Sequence, residues 1–321
     1  MSFAQGLEQS WYRSAWKNAY WLPFWLLVAL VVFFKRQFYL FRRKKTNAVP
    51  VVVVGNISVG GTGKTPLIIY LVERARVLGL KPAIVSRGYG GKAASYPILV
   101  QDDSLVAQVG DEPYLLFKRL RCPVVVDPKR ARAVQKALTF QPDIIFSDDG
   151  LQHYAMVREA EIAVVDGKRR YGNGWLLPIG PLREPISRLN SVDLVLVNGE
   201  DFNVQPSVLI NAKTGQEQSL ASLAQQEVVA VAGIGNPERF FTTLADLGAK
   251  VTPQAFADHH TFTVQDLAWV QAEQQLIMTE KDWVKCQDFA QAHWWYLPVG
   301  AVMQTQAEVK IDALLTSFIK R

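Results

Sequence analysis

The stretch VVVVGNISVGGTGKTP, residues 51–66, decides the fold of this 321-residue chain. The valine run predicts a buried strand, the glycine-rich run predicts a loop, and the segment from Lys64 predicts the start of a helix. Backbone N–H groups in such a loop, with a helix N-terminus, form a nest for the phosphates of a nucleoside triphosphate. In this pattern Lys64 reaches the β- and γ-phosphates, and Thr65 binds Mg²⁺. The candidate nucleotide-binding residues are Gly60, Gly61, Thr62, Gly63, Lys64 and Thr65.

The match to the pattern G-x-x-x-x-G-K-T has one departure, because Ser58 stands where the pattern has glycine. The three glycines that follow keep the loop flexible. The alternative interpretation is a chance glycine-rich turn, and the strand before it and the helix after it argue against that.

Apolar runs alternate with helical stretches through the rest of the chain. These runs are continuous, which predicts strands buried on both faces and hence a mainly parallel sheet covered by helices. We predict a P-loop NTPase-type, doubly wound α/β fold with a second, smaller α/β domain and with ligands beyond the carboxyl ends of the strands. The polar stretch 200–226 marks the expected seam, so we assign residues 46–226 to the core domain and 227–321 to the smaller one.

The positive charge of the chain is concentrated at its N-terminus. The net charge is +6, yet residues 1–45 hold eight cations and one anion, whereas the remainder holds 27 cations and 28 anions. A nucleic-acid-binding domain would carry its basic stripe on the fold, so nucleic acid is not the expected partner. The distribution favours attraction to an anionic membrane surface.

Residues 19–34, AYWLPFWLLVALVVFF, form an uncharged run within this segment of residues 1–45. As a helix the run covers about 24 Å, against roughly 30 Å of hydrocarbon in a bilayer. A cleaved signal peptide and a buried core helix are alternatives, but flanking tryptophans and cations are typical of a membrane anchor that spans or lies in the interface. If the helix spans, the positive-inside rule places residues 35 onward in the cytoplasm.

Acidic pairs occur at two places that suit a metal or a proton acceptor. Asp148 and Asp149 follow the apolar run DIIF, where a second metal-side element of a P-loop fold is expected. Asp111 and Glu112 open a probable helix in VGDEPYLL, and the helix dipole alone accounts equally for acids there. Neither cysteine lies at metal-ligand spacing.

Charged residues also cluster in two loops. FADHHTFT, residues 256–263, holds two of the four histidines, although a simple turn explains it too. GPLREP, residues 180–185, presents Arg183 and Glu184 between prolines, and Arg87 lies in SRGYGG. Such cations suit an anionic substrate or the phosphate charge of a transition state.

Together these pieces resemble the tetraacyldisaccharide 4′-kinase family, the lipid A 4′-kinases of Gram-negative bacteria. The resemblance implies MgATP-dependent transfer of the γ-phosphate to the 4′-hydroxyl of a tetraacyldisaccharide 1-phosphate. It also implies two α/β domains with the site between them, at the cytoplasmic face of the inner membrane. The motifs that carry it, in chain order, are GNISVGGTGKTP, SRGYGG, VGDEP, DPKRARA, SDDGLQH, GPLREP, FADHHTFT and MTEKDWVK.

The resemblance also implies roles for particular residues. Asp111 is the expected base toward the sugar hydroxyl, paired with a histidine for which we prefer His259 over His260 because it directly follows Asp258. The remaining expectations are Lys64 in catalysis, Thr65, Glu112, Asp148 and Asp149 for Mg²⁺, and Arg87, Gln152, His153, Arg183 and Glu184 for the lipid substrate.

Two other functions remain as alternatives. The first is a membrane-associated P-loop GTPase or ATPase that acts as a targeting or metal-insertion switch. Guanine-specific proteins usually carry N-K-x-D, and the nearest stretch here, TEKD at residues 279–282, does not match. The second is a non-enzymatic membrane adaptor, which would leave the FADHHTFT and GPLREP motifs without a use. No obligate protein partner is expected.

Overall fold

The computed structural model describes residues 10–12, 18, 20–41 and 47–319. Parts of the predicted segment 1–45, including its basic cluster at residues 42–45, lie outside this described portion. The strands are β1 Val51–Gly55, β2 Pro82–Ser86, β3 Ile98–Leu99, β4 Val124–Val126, β5 Ile144–Asp148, β6 Ala160–Asp166, β7 Leu194–Asn198, β8 Phe202–Pro206, β9 Leu209–Asn211, β10 Glu217–Gln218, β11 Glu227–Ala232, β12 Lys250–Ala255, β13 Gln275–Thr279, β14 Trp294–Leu297 and β15 Val299–Met303.

The helices cover both faces of the sheets and connect the parallel strands. Short 3₁₀ segments occur at Ile186–Ser191, Leu220–Leu223 and Gln287–Phe289. The α-helices are α1 Leu22–Phe41, α2 Lys64–Val77, α3 Val106–Val109, α4 Asp111–Leu120, α5 Arg130–Leu138, α6 Pro237–Asp246, α7 Val264–Leu267, α8 Glu280–Cys286 and α9 Thr305–Ile319.

A nine-stranded sheet, the first sheet, is built around β1 in the order β15-β8-β7-β6-β1-β5-β2-β4-β3. The six strands from β7 to β4 are mutually parallel, and β15 and β3 are antiparallel to their neighbours. All four valines of β1 are fully buried. Val52 and Val54 enter the core on one face, and Val51 and Val53 enter the core on the other. This two-sided burial is why the valine run is continuous, and the predicted mainly parallel α/β fold is confirmed.

A six-stranded sheet, the second sheet, has the order β10-β9-β14-β13-β11-β12. Its four strands from β14 to β12 are parallel, and β9 and β10 add an antiparallel edge. Helix α8 follows β13 and packs against α4 of the first sheet. Val284 of α8 is buried in the core of the first sheet, so the two sheets share apolar contacts.

Sheet membership departs from the predicted division at residue 226. Strands β9 and β10 precede that boundary but pair in the second sheet, whereas β15 and α9 follow it and return to the first. Strands β9 and β10 are only three and two residues long, and β15, VGAVM, is as apolar as a central strand, so neither pattern reveals which sheet a strand joins.

Helix α1 packs against the first sheet on one side, and its other side is exposed. Trp25 and Ala29 pack against the core cluster around Val51 and Val53, and the rings of Trp25 and Trp175 are 5.0 Å apart. Within the described portion, α1 is the one helix long and apolar enough to cross a membrane. The large apolar side chains exposed on its outer side are Leu22, Phe24, Leu26, Leu27, Leu30, Val31, Phe33, Phe34 and Phe38.

The return of α9 to the first sheet makes a stability prediction. Leu315 is fully buried in the core of that sheet, so Leu315→Ala should lower the free energy of unfolding by about 2–5 kcal/mol in chemical denaturation. Val309 on the same helix is 62% exposed, and Val309→Ala is the matched control, expected within roughly 0.5 kcal/mol of the parent. Equal effects of the two substitutions would contradict the packing of α9.

Candidate active site

The glycine-rich loop leads from the carboxyl end of β1 into the N-terminus of α2. Gly60 and Gly63 have φ values of 101° and 96°, a left-handed backbone that favours glycine. A Cβ atom on Gly63 would also lie 3.0 Å from Nδ2 of Asn198. The loop is fixed from outside by residues 181–183, because Pro181 O accepts from Val59 N at 2.9 Å and Arg183 N donates to Ile57 O at 2.7 Å. The loop therefore presents its N–H groups from a rigid frame.

Lys64 contacts the residues that follow β1 and β5, and Thr62 and Thr65 lie on either side of Gly63 and Lys64. Lys64 Nζ donates to Oδ1 of Asn56 at 3.2 Å and lies 3.4 Å from Oδ1 of Asp149. Thr65 is half-buried in the first turn of α2. Thr62 is 3% exposed, and its hydroxyl has no hydrogen-bond partner among the described residues.

Asp148 and Asp149 lie at the carboxyl end of β5, beside the glycine-rich loop. Asp148 is 3% exposed, and its Oδ2 accepts from Ser86 Oγ at 3.2 Å. Burial raises the pKa of Asp148 to about 7, with Glu112 and Asp149 adding repulsion. Burial opposes ionisation of Asp149 as well, but Lys64 and Arg183 hold its pKa at about 2. Asp149 is therefore a neutralised anion, whereas Asp148 forms no ion pair within the described residues, and the nearby charges of Lys64 and Arg130 do not offset its burial.

The acids at this edge fit Mg²⁺. In the described portion no group of three or more His, Cys, Asp or Glu side chains is arranged to hold a metal by itself. Nucleotide-bound Mg²⁺ needs fewer protein ligands, since one or two carboxylates complete a shell of phosphate oxygens and water. The buried Oδ1 of Asp148 has no hydrogen-bond partner in the described structure. A cation there would bind this oxygen and would stabilise the ionised carboxylate, which counters its raised pKa.

Asp111 and His259 meet at the junction of the two sheets. His259 Nδ1 lies 3.0 Å from Oδ2 of Asp111, and Oδ1 of Asp111 accepts from the N–H of Glu112 at 2.9 Å. His260, by contrast, lies 3.3 Å from Oδ2 of Asp266. The structure thus joins Asp111 to the first histidine of the doublet, although the two residues are 148 positions apart.

The Asp111–His259 contact shifts both titrations. The hydrogen bond to Asp111 raises the pKa of His259, although partial burial opposes this. Burial opposes ionisation of Asp111, but the His259 contact and the charge of Lys281 leave its pKa below the usual range. Lys281 contacts the carboxylate of Glu112 directly. Sequence reasoning gave Lys281 no role, because its partner is 169 positions away and the motif MTEKDWVK alone does not reveal it.

The side chains predicted for the lipid substrate have different surroundings, and one of them contacts Asp149 directly. Arg183 NH1 donates to Oδ2 of Asp149 at 2.9 Å, and Gln152 Nε2 donates to the carbonyl of Asn56 at 3.0 Å. Burial lowers the pKa of His153 to about 4, with the charges of Arg130, Arg87 and Lys35 adding to the effect. His153 is therefore neutral at physiological pH, and Arg87 is exposed at the end of β2.

Glu184 is the remaining side chain predicted for the lipid substrate. It is 2% exposed, its carboxylate contacts the hydroxyl of Tyr154, and Oε2 lies 3.3 Å from Nε of Arg188. The side chain of Glu184 is therefore buried, and its predicted contact with the lipid headgroup stays a prediction. The two prolines of GPLREP indicated a rigid loop, but they do not determine that this side chain points inward.

The arrangement defines a class of protein. A glycine-rich phosphate nest, a lysine and paired carboxylates meet at the carboxyl ends of parallel strands, which is the site of a P-loop phosphotransferase. The model of the family described as tetraacyldisaccharide-1-P 4′-kinase matches residues 18–317. The chain belongs to that family.

Similar proteins agree with this assignment. A tetraacyldisaccharide 4′-kinase of Psychromonas ingrahamii is 50% identical over 91% of this chain and 93% of its own length. One from Photobacterium profundum is 49% identical over 94% and 90%. The crystal structure of an "apo" form of LpxK from Aquifex aeolicus in complex with ATP has a TM-score of 0.79 at 27% identity, covering 92% of this chain and 98% of that one. The predicted kinase activity in lipid A biosynthesis is confirmed, and the switch alternative is not favoured.

The four histidines make the central contact measurable. In NMR titration of histidine-labelled protein, His259 should titrate above its ordinary pKa of 6.5, and Asp111→Asn should lower that value. His153 in the same spectrum, with a pKa of about 4, is the internal control. Because folding raises the pKa of His259, the contact stabilises the fold fully below the unfolded pKa and loses this effect as pH rises through the folded one. A His259 titration unchanged by Asp111→Asn would contradict the hydrogen bond.

Proposed function

We propose that the chain transfers the γ-phosphate of ATP to the 4′-hydroxyl of a tetraacyldisaccharide 1-phosphate. The observation that carries the proposal is the 3.0 Å contact of Asp111 with His259. Glu112, the residue after Asp111, interacts electrostatically with Asp148 at the carboxyl end of β5. A nucleotide switch needs a nest and a metal site, whereas a paired carboxylate and histidine suits a proton acceptor for an alcohol.

The nucleotide side of the mechanism is positioning and charge neutralisation. The N–H groups of the glycine-rich loop would bind the phosphates, and Lys64 would stabilise the negative charge that develops as the γ-phosphoryl group departs. Thr65, Glu112, Asp148 and Asp149 would hold Mg²⁺, in part through water. When bound, Mg²⁺ neutralises phosphate oxygens. Asn56 and Asp149 keep Lys64 directed at the nest before nucleotide arrives.

The acceptor side depends on Asp111. As the 4′-oxygen forms its bond to the γ-phosphorus, the bond from that phosphorus to the β–γ bridging oxygen breaks, and the hydroxyl proton passes to Oδ2 of Asp111. A carboxylate with a lowered pKa is a weak base, which suits a loose transition state in which the proton leaves late. His259 orients the carboxylate and shares the incoming proton through Nδ1.

The lipid headgroup is anionic, and the cations beside Asp149 are the proposed contacts. Arg183 lies on the frame of the glycine-rich loop, and Arg87 is exposed at the end of β2. The neutral imidazole of His153 and the amide of Gln152 can hydrogen-bond sugar hydroxyls without adding charge. Glu184 supports Tyr154 and Arg188 beneath this surface.

The chain would work at the cytoplasmic face of the inner membrane, where ATP is available. Drawing acyl chains out of a bilayer costs about 0.8 kcal/mol per CH₂, so an enzyme for such a headgroup gains by sitting on the membrane. The exposed apolar side of α1 would be the surface that attaches to the membrane. We further propose that the two sheets correspond to two domains that close on the substrate, with no obligate protein partner.

Transfer of label tests this function. Incubation with γ-labelled ATP and a tetraacyldisaccharide 1-phosphate should give a lipid that carries two phosphates, with label at the 4′ position. A product labelled at another hydroxyl would contradict the proposed substrate geometry. If nucleotide hydrolysis proceeds at the same rate with and without the lipid and no labelled lipid forms, the switch alternative would be favoured instead.

If Asp111 and His259 act as one unit, their losses should not add. Asp111→Ala, His259→Ala and the double variant should fall to similar kcat values, while ATP affinity survives in all three. His260→Ala is the matched control, because His260 contacts Asp266 and not Asp111. Steady-state kinetics, with ATP binding measured separately, tests whether the two residues act together. Small, additive losses of kcat would show that the pair is a purely structural contact.

The outer side of α1 makes the attachment prediction. Leu27→Asp with Phe34→Asp places charge where the side chains are 60% and 63% exposed, so it should release the protein from anionic vesicles without weakening ATP binding. Val309→Asp, at a 62% exposed position on α9, is the control and should leave vesicle binding unchanged. Sedimentation with vesicles is the measurement. Full binding by the α1 variant would place the attachment surface elsewhere on the chain.

A further inference from the structure

Lys281 opens helix α8 on the second sheet and points out of that sheet toward the acids of the first. The start of α8 is held firmly, since Thr279 Oγ1 donates to Oδ2 of Asp282 at 2.6 Å and the same oxygen accepts from the N–H of Gly233 at 3.0 Å. Asp282 is fully buried. The backbone of Lys281 is thus anchored on both sides, and its position relative to the second sheet is fixed.

The Lys281 ammonium contacts one carboxylate of the first sheet and is attracted by two more. Its Nζ contacts Oε1 of Glu112, and the side chains are 32% and 26% exposed. Glu112, Asp111 and Asp148 outweigh its partial burial and raise the pKa of Lys281. Lys64 of the glycine-rich loop pairs with a further acid of this edge, Asp149. The acidic edge of the first sheet therefore has one lysine from each sheet.

Docking of α8 against α4 does not require Lys281. Arg119 NH1 pairs with Oε2 of Glu280 at 2.8 Å, and Gln287 Nε2 donates to the hydroxyl of Tyr114 at 2.7 Å. Val284 adds an apolar contact between the same helices. Among these contacts between α4 and α8, the Lys281–Glu112 pair is the one beside the acids of the first sheet. Its role therefore differs from that of the contacts that only pack the two helices together.

We propose that Lys281 is a positioning residue that fixes the Glu112 carboxylate between Asp111 and Asp148 and separates the three like charges. The inference rests on the proposed function, because it gives Glu112 its metal-side role and Asp111 its role as base. Without the lysine, repulsion among the acids would turn Glu112 toward solvent. The second sheet thereby positions two carboxylates of the first sheet: it positions Asp111 through His259 and Glu112 through Lys281.

A double-mutant cycle tests the inference. Lys281→Met should lower kcat by roughly 10- to 100-fold, the usual cost of removing a group that orients a metal-side ligand, with little change in the KM for lipid. Glu112→Gln should cause a similar loss, and the double variant should lose no more than either alone. Calorimetry without lipid should show that Lys281→Met weakens Mg²⁺-dependent ATP binding.

The matched control breaks the neighbouring pair on the same two helices. Arg119→Met with Glu280→Gln removes the other ion pair between α4 and α8, and it should leave kcat and Mg²⁺-dependent binding near those of the parent. Equal losses in this control and in Lys281→Met, or additive losses in the cycle, would overturn the inference. Normal turnover by Glu112→Gln itself would instead contradict the proposed function of Glu112.

Discussion

The hydrogen bond between Asp111 and His259 is the contact on which the rest of the site depends. Asp111 opens a helix of the first sheet, and His259 lies in a loop that follows β12 of the second, so neither sheet contains the pair. The proposed base is therefore complete only while the two sheets are docked. In this proposal the second sheet supplies the group that orients the base, and it also supplies a lysine that contacts Glu112.

Opposed charges explain why this edge of the first sheet suits phosphoryl transfer. Four carboxylates converge on the carboxyl ends of β2 and β5, and burial of like charges is costly unless cations offset it. Lys64 and Arg183 neutralise Asp149, whereas Asp148 keeps a raised pKa and an unpartnered oxygen. The unpartnered oxygen of Asp148 suits a divalent cation, whereas the lysine of the glycine-rich loop suits the phosphates that accompany it.

Local features of the site were readable from the sequence, and distant ones were not. The glycine-rich loop is contiguous, and the valines of β1 signal two-sided burial directly. The pairing of Asp111 with His259 spans 148 positions, so only the family resemblance suggested it. The burial of Glu184 was not readable from the sequence, because a proline-bounded loop does not reveal which way a side chain faces. The sheets that β9 and β15 join were not predicted, because the apolar pattern of a strand does not reveal its neighbours.

Chemical rescue tests the central claim most directly. His259→Gly opens a space beside Asp111 that free imidazole can fill, so the account predicts that imidazole restores kcat in a saturable manner. Asp111→Gly, treated in the same way, should gain nothing, because the proton acceptor itself is missing. An ATP-binding His259→Gly variant that imidazole does not stimulate, or equal stimulation of both variants, would contradict a base on one sheet completed by the other.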